Sequence, residues 1–389
     1  MAVAPGPDPA AWLRRLAATA ADRDRAGLRR ALHPRGPGDD LVDLSGNDYL
    51  GLSRHPAVLA AAGAALARYG LGATGSRLVR GSTGPHAQLE ARLAGWLGTG
   101  AALAFSSGYL ANIAAVRALA GPGATVVSDA HNHASLVDGI RLARPASVVV
   151  TPHRDLAAIG AALAAAGTAA AGTAPVLVTE SVFSVDGDLA PLAAMHALAR
   201  AHGAVLLVDD AHGTGLLGPA GAGAVAAAGL AGQPDVVLTL TLSKAFGAAG
   251  GVVAGPAELI GHLVDTGRTF IYDTALAPAL AAGALAALEV IAAGTGLRAE
   301  LADRAALVRR RLAGLPVGEP VAGVVSVAAP GPREALAWAA ACRRRGVAVG
   351  CFRPPSTPDG TARIRLTVNV GVPRDRFVAA LDVVADCAP

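Results

Sequence analysis

The sequence predicts an α/β fold in which a large unit built on a mostly parallel sheet is followed by a smaller C-terminal α+β unit. Three observations carry this reading. Short β-branched runs alternate with Ala-rich helical stretches, and strands separated by helices need right-handed crossovers that leave a sheet parallel and covered on both faces. Polar side chains suited to chemistry collect just beyond the C-terminal ends of these runs, where such sheets bind ligands. The alternation ends near residue 290, and the rest reads as three strands and two helices.

In chain order, residues 1–45 are expected to form an Arg-rich helical arm ending in the Pro/Gly segment HPRGPGDD. Residues 46–290 make the large unit, with strands expected at 102–105, 125–128, 147–151, 175–180, 204–210, 235–241 and 251–255. Residues 291–389 make the small unit, with strands in VVSVA, VAVGCF and RIRLTV and helices through REALAWAAACRRRG and from RDRFVAAL. The most apolar segment, ALAPALAAGALAALEVIAAG (275–294), is long enough to raise the question of a membrane span. Glu289 interrupts it and no second span exists, so it reads as a buried helix.

Composition narrows the function. Hydrophobic residues make up 53%, but the excess is Ala and Gly, which pack backbones closely as in an α/β enzyme rather than in a membrane protein. The N-terminus lacks the continuous apolar core of a secretory signal. Cys342, Cys351 and Cys387 are odd in number and lack metal-ligand spacing, so a reduced, cytoplasmic setting with neither disulfides nor a metal site is expected. The net charge of +4 is spread out, which gives nucleic-acid binding little support and suits an anionic small substrate.

The segment TLSKAFGAAGG (241–251) holds the only lysine of the chain, Lys244, among 33 lysines and arginines together. A coding bias toward arginine is expected wherever any cation serves. Lysine survives where arginine cannot do the chemistry, because a guanidinium stays protonated and cannot attack a carbonyl. Three other patterns fail their context. GLGATG (70–75) follows a helical stretch rather than the strand that a dinucleotide fingerprint requires. VLLVDD has no phosphate-binding loop to accompany it, since the lone lysine precedes its glycines. In HNH (131–133) the two histidines point opposite ways on an extended segment, so one of His131 and His133 is structural.

The remaining groups fit one cofactor. Pyridoxal phosphate needs a lysine, a carboxylate at its ring nitrogen and N–H donors at a helix start for its phosphate. Asp209 suits the ring nitrogen, His133 offers a plane to stack on the ring, and Ser184 and His212 suit the ring oxygen. Gly108 and Tyr109 in SSGYLAN, with the Thr241 hydroxyl, suit the phosphate. The glycines after Lys244 would keep side chains out of the substrate path.

The motifs NDYLGLS, SSGYLAN, DAHNHASLVDG, ESVFSVDGD, VDDAHGTG, TLSKAFGAAGG and RPPSTPDGTARIRLT occur in that order from about residue 43 to 370. Together they resemble the α-oxoamine synthases, a fold-type-I pyridoxal-phosphate family. The resemblance implies that Lys244 holds the cofactor and later removes the α-proton, with Asp209, His133, His212, Ser184, Gly108, Tyr109 and Thr241 in the roles above. It also implies that Thr274 in IYDTALAP reaches the phosphate of a neighbouring subunit, which puts the active site at a homodimer interface. Arg353 would bind the amino-acid carboxylate, a bidentate task suited to guanidinium, and Arg29, Asn47, Ser76, His86 and Ser356 would line the substrate side.

Two positions depart from the family pattern. Asp273 stands where Ser or Thr is common beside Thr274, and Ser356 replaces a commoner Thr. The implied reaction is the decarboxylative condensation of an amino acid with an acyl thioester. L-alanine with pimeloyl-CoA, or pimeloyl carrier protein, is the expected pair, and glycine with acetyl-CoA is the alternative. Neither a nucleic-acid nor a membrane partner is expected.

Overall fold

The computed structural model describes residues 8–167 and 173–389, so the first seven residues of the expected arm lie outside it. Its strands are β1 (Val42–Leu44), β2 (Ala101–Phe105), β3 (Thr125–Asp129), β4 (Ser147–Thr151), β5 (Val176–Glu180), β6 (Val205–Asp209), β7 (Val236–Thr241), β8 (Gly251–Gly255), β9 (Val324–Ala328), β10 (Val347–Phe352) and β11 (Arg363–Thr367). Strands β2 to β8 form one sheet in the order β2-β8-β7-β6-β5-β3-β4. Each lies within one residue of its expected bounds.

The large sheet is mixed and mostly parallel. β4, β3, β5, β6 and β7 run parallel, each pair joined through a helical crossover, whereas β8 is antiparallel to both β7 and β2. The cause is local: the short loop 242–250 between β7 and β8 contains no helix to carry the chain back across the sheet, so the strand returns in the opposite sense. β5, β7 and β8 are buried along their whole length, as expected of strands covered on both faces.

The apolar segment forms the helix Pro278–Ala293, whose Ala281, Ala284, Ala287, Leu288 and Ile291 are buried. It packs closely on the helix Pro56–Tyr69, where a Cβ at Gly283 would lie 3.5 Å from the Ala62 side chain. Among the described residues no single helix is long and apolar enough to cross a membrane.

The small sheet has the order β1-β10-β11-β9. β10, β11 and β9 pair antiparallel, but β1 joins β10 in parallel through Val42–Val347 and Leu44–Val349. The expected helical arm is therefore helical only over Ala11–Arg25, a helix that buries no residue, and its C-terminal end is a strand of the small sheet. Because the chain leaves β1 directly into the turn 45–51, residues next to the small sheet come to lie over the ends of β5, β6 and β7.

Candidate functional site

Lys244 sits at the apex of a tight turn. β7 ends at Thr241, whose Oγ1 accepts from Ser243 N at 3.2 Å, and Gly247 N donates to Lys244 O at 2.9 Å. Gly247 has φ +63°, and a Cβ there would lie 2.2 Å from Ser53 N. This glycine is thus required by the Leu52–Ser53 backbone passing against it, not by the open substrate path expected from the sequence. The Lys244 Nζ lies 2.8 Å from His212 Nε2. Burial pulls the lysine pKa down to about 8, against the opposing pull of Asp209 and Glu180, while Arg365 lowers it further.

Asp209 closes β6 and is 6% exposed. Its carboxylate accepts from Asn112 Nδ2 at 2.6 Å and from Ala211 N at 3.0 Å. Asn112, on the helix Gly108–Leu119, is itself held by Thr239 Oγ1 at 2.5 Å and Ser135 Oγ at 2.7 Å, so the carboxylate has a fixed direction. His133 caps the helix Ala134–Ala143, and its Nδ1 pairs with Ser135 Oγ at 2.7 Å. Burial lowers the His133 pKa, partly offset by Asp209. His212, also buried, is held far below the ordinary histidine value by burial and then by Lys244 and Arg365.

At the other end of the site the helix Gly108–Leu119 begins on the edge of Thr241. A Cβ at Gly108 would lie 3.1 Å from the Thr241 Cβ, so any side chain there would press on Thr241. The N–H groups of Gly108 and Tyr109 belong to the first turn and have no acceptor within the helix. One cavity of about 230 Å³ brings Gly108, Tyr109, His133, Asp209, His212, Thr241 and Lys244 together. An amine, a fixed carboxylate, an aromatic face and a helix start with a hydroxyl are the donor set that a phosphorylated pyridine aldehyde needs, and the residues fit that group.

Four residues of the site have no place in the sequence reading. Glu180 ends β5 beside Asp209, accepts from Ser184 N at 3.1 Å with Oε2, and leaves Oε1 buried with no partner. Asn112 orients Asp209 as described. Tyr49, fully buried, touches His212 Nδ1 at 2.6 Å. Arg365 on β11 donates to Ser184 O and Asn47 Oδ1, both at 2.9 Å, and keeps its Nε buried without a partner. The motifs NDYLGLS and RIRLT contain the last two, but nothing local marks them as facing a lysine two hundred or one hundred positions away.

The expected substrate-side residues divide. Asn47 lies next to Arg365 at the site, whereas Ser184, expected at the ring oxygen, meets Arg365 through its main-chain carbonyl and does not line the cavity. Arg353 instead donates to the carbonyls of Gly27 and Arg29 in the arm, and the exposed Arg29 side chain is not in the cavity. Ser356 accepts from Arg30 at 2.8 Å. His86 is fully buried with both ring nitrogens engaged, one by Thr83 and one by Leu276 O at 2.8 Å, so it has none free for a substrate. Ser76 caps the turn Arg77–Gly81 through its carbonyl. Thr274 is exposed, away from the cavity of its own chain, and Asp273 beside it accepts from Ser106 Oγ.

Comparison with known proteins places this geometry. Residues 39–383 match the model of the aminotransferase class I and II family. The chain is 52% identical over 382 residues to an 8-amino-7-oxononanoate synthase of Mycolicibacterium smegmatis, covering 98% of this chain and 97% of that one. It is 50% identical over 381 residues to the protein of the same name from Mycolicibacterium gilvum, covering 98% of each. Among solved structures, serine palmitoyltransferase of Sphingomonas wittichii superposes with a TM-score of 0.89 at 27% identity over 98% of both chains. The 8-amino-7-oxononanoate synthase of Francisella tularensis superposes with a TM-score of 0.75 at 25% identity over 90% of this chain and 98% of that one.

Proposed function

Since the chain belongs to the aminotransferase class I and II family, within its α-oxoamine synthase branch, we propose that it condenses L-alanine with pimeloyl-CoA, or pimeloyl carrier protein, to 8-amino-7-oxononanoate. Carbon dioxide and the thiol carrier are released, and the product serves biotin biosynthesis. The observation that carries this reading is the meeting of Lys244, Asp209 and the start of the helix Gly108–Leu119 in one cavity. The choice of substrates rests on identity at half of all positions to relatives that bear that name.

Pyridoxal phosphate, when bound, supplies the electron sink that makes a carbanion of the amino-acid α-carbon. The chain does the rest. Lys244 holds the cofactor covalently and, once freed as an amine, takes the α-proton; its lowered pKa suits that task. Asp209 keeps the ring nitrogen protonated, and Asn112 keeps Asp209 aimed. His133 covers the ring face, and His212 attends the ring oxygen. Gly108, Tyr109 and Thr241 bind the phosphate, joined by Thr274 of a second copy, whose exposure on its own chain leaves it free for that contact. The working unit is then a homodimer in the cytoplasm.

For the substrate carboxylate the fold offers two guanidiniums. Arg365 is near enough to Lys244 and His212 to lower the pKa of each and has a buried, unpartnered Nε, so we assign it the carboxylate. Arg353 fastens the arm over the site. Incubating the purified chain and pyridoxal phosphate with alanine or glycine against pimeloyl-, acetyl-, succinyl- and palmitoyl-CoA tests the reading. The expected product by mass is 8-amino-7-oxononanoate, from alanine and pimeloyl-CoA. Turnover of glycine with acetyl-CoA alone would overturn the substrate assignment.

A further inference from the structure

One fully buried hydroxyl at the site has no role in the reaction above. The Tyr49 oxygen lies 2.6 Å from His212 Nδ1 and 3.2 Å from Asn47 Oδ1. A phenol has one proton to give, and its neighbours decide where it goes. Arg365 Nη2 donates to Asn47 Oδ1 at 2.9 Å, and a guanidinium accepts nothing, which fixes Asn47 with its oxygen toward both Arg365 and Tyr49. The Tyr49 proton therefore goes to Asn47; otherwise two oxygens would face each other with no proton between them. The Tyr49 oxygen must then accept from His212 Nδ1–H. His212 is neutral, since burial and the neighbouring cations hold its pKa far below the ordinary value, so its single ring proton is the one on Nδ1. Nε2 is left bare, 2.8 Å from Lys244 Nζ.

We infer that Tyr49 is a positioning residue for Lys244: backed by Asn47 and Arg365, it fixes His212 as the Nδ1–H form, whose bare Nε2 holds the lysine proton until the amine is used. The inference rests on the proposed capture of pyridoxal phosphate at Lys244. His212 does not take that proton, because its pKa lies far below that of Lys244. When the amine is used, the N–H bond at Nζ breaks to solvent water, and the imidazole stays neutral with its Nδ1–H on Tyr49.

The other groups facing this pair are Asp209 and Glu180 from β6 and β5, Arg365 from β11 and His133 from the segment after β3. All of them remain in Tyr49→Phe, which removes the acceptor for Nδ1–H and the donor to Asn47. His212 is then free to carry its proton on Nε2, where it opposes an ammonium and favours a free amine. The Lys244 titration should move to lower pH. General loosening does the reverse, because water entering the site relieves the burial that keeps the lysine pKa near 8 and lets it rise toward the ordinary lysine value. The direction of the shift separates the two.

The test follows the rate of pyridoxal phosphate capture by the cofactor-free full chain across pH, trapped with borohydride and counted by mass on the peptide that contains Lys244. The wild-type rate should rise through a midpoint near 8, and that of Tyr49→Phe through a midpoint lower by about half a pH unit or more. An unchanged or raised midpoint in Tyr49→Phe would overturn the inference while leaving the functional reading intact. Failure of the wild type to be labelled at Lys244 would sink the functional reading and the inference with it. A second measurement needs no variant of Tyr49: ring-nitrogen NMR of the cofactor-free wild type, with His212 assigned from the signal lost in His212→Gln, should show the proton on Nδ1. A proton on Nε2 would overturn the inference even if Tyr49→Phe did not fold.

Discussion

Glu180 and Asp209 are register partners at the adjacent ends of β5 and β6, so two carboxyl groups enter the site from neighbouring strands. Two like charges at that spacing do not both ionise readily. Asp209 is held as an acceptor by Asn112 and the Ala211 N–H. Glu180 has one oxygen on the Ser184 N–H and the other buried with no partner. Burial first, and Asp209 second, raise its pKa well above the ordinary glutamate value, against the opposing pull of Lys244. Glu180 is thus a carboxyl whose surroundings favour its neutral form.

Glu180→Gln should therefore be tolerated by the fold, because the amide supplies the same acceptor to Ser184 and carries no charge to bury. The sign of the pH effect follows from linkage. A carboxyl whose folded pKa is raised costs stability above its unfolded pKa, and the cost grows as pH rises toward the folded value. The melting temperature of Glu180→Gln should match the wild type at about pH 4 and exceed it at about pH 8. A melting temperature below the wild type at the higher pH would show that Glu180 is ionised.

Lys244→Arg keeps the positive charge and the buried stem but cannot give up its proton. Turnover should fall by at least about 100-fold, the scale of a lost general base, and the protein should bind no borohydride-stable pyridoxal phosphate. Near-wild-type turnover in this variant would remove the lysine from the chemistry altogether.

The carboxylate assignment separates Arg365 from Arg353. Loss of a charge-assisted hydrogen bond from Arg365→Gln should raise the KM for alanine by about tenfold or more. Arg353→Gln should leave that KM nearly unchanged and instead loosen the arm, read as faster proteolysis near Gly27 and Arg29, whose carbonyls it holds. A larger KM effect from Arg353 than from Arg365 would return the carboxylate to the arm side.

How much of this the sequence carries depends on the range of each interaction. The large-sheet strands and Lys244, Asp209, His133, Gly108 and Thr241 are legible because their signals are local: β-branched runs, polar residues at strand ends, glycine and serine at a helix start. β1 is not, because Val42–Leu44 is stabilised by a strand three hundred residues later and no local pattern announces a parallel pairing of that span. The same holds for Tyr49 and Arg365, which become part of the site only when the small sheet closes over the ends of β5 and β6, whereas Glu180 is a strand-end carboxyl of the legible kind that the sequence reading omits. His86 misleads in the other direction. The family resemblance suggests a ligand contact, but both nitrogens are used to cap one helix and hold Leu276.

The histidine pair discounted in the sequence leads to a last prediction. His131 turns away from the cavity and pairs with Asp186 at 2.8 Å, and its ring stacks on that of His153 with centroids 4.1 Å apart. His153 places Nδ1 on Asp129 and Nε2 on Asp188, both at 2.9 Å, while Asp186 also pairs with Arg363 on β11 at 3.2 Å. The ligand atoms of His131, His153 and Asp186 lie within 4.8 Å of one another, but carboxylates on both nitrogens of His153 require both to be N–H donors, which leaves no lone pair for a metal. Burial alone would lower the His153 pKa, yet the hydrogen bonds to Asp129 and Asp188 outweigh it and raise the value to about 9. The imidazolium thereby fastens the loop after β5, which carries Ser184, to the ends of β3 and β4. Because the folded pKa lies above the unfolded value of about 6.5, the stabilisation is complete below that pH and is lost as pH rises through about 9. His153→Gln should therefore melt below the wild type by its largest margin at about pH 6, with the gap closing as pH passes about 9. A gap that stays constant with pH would mean that His153 contributes packing rather than charge.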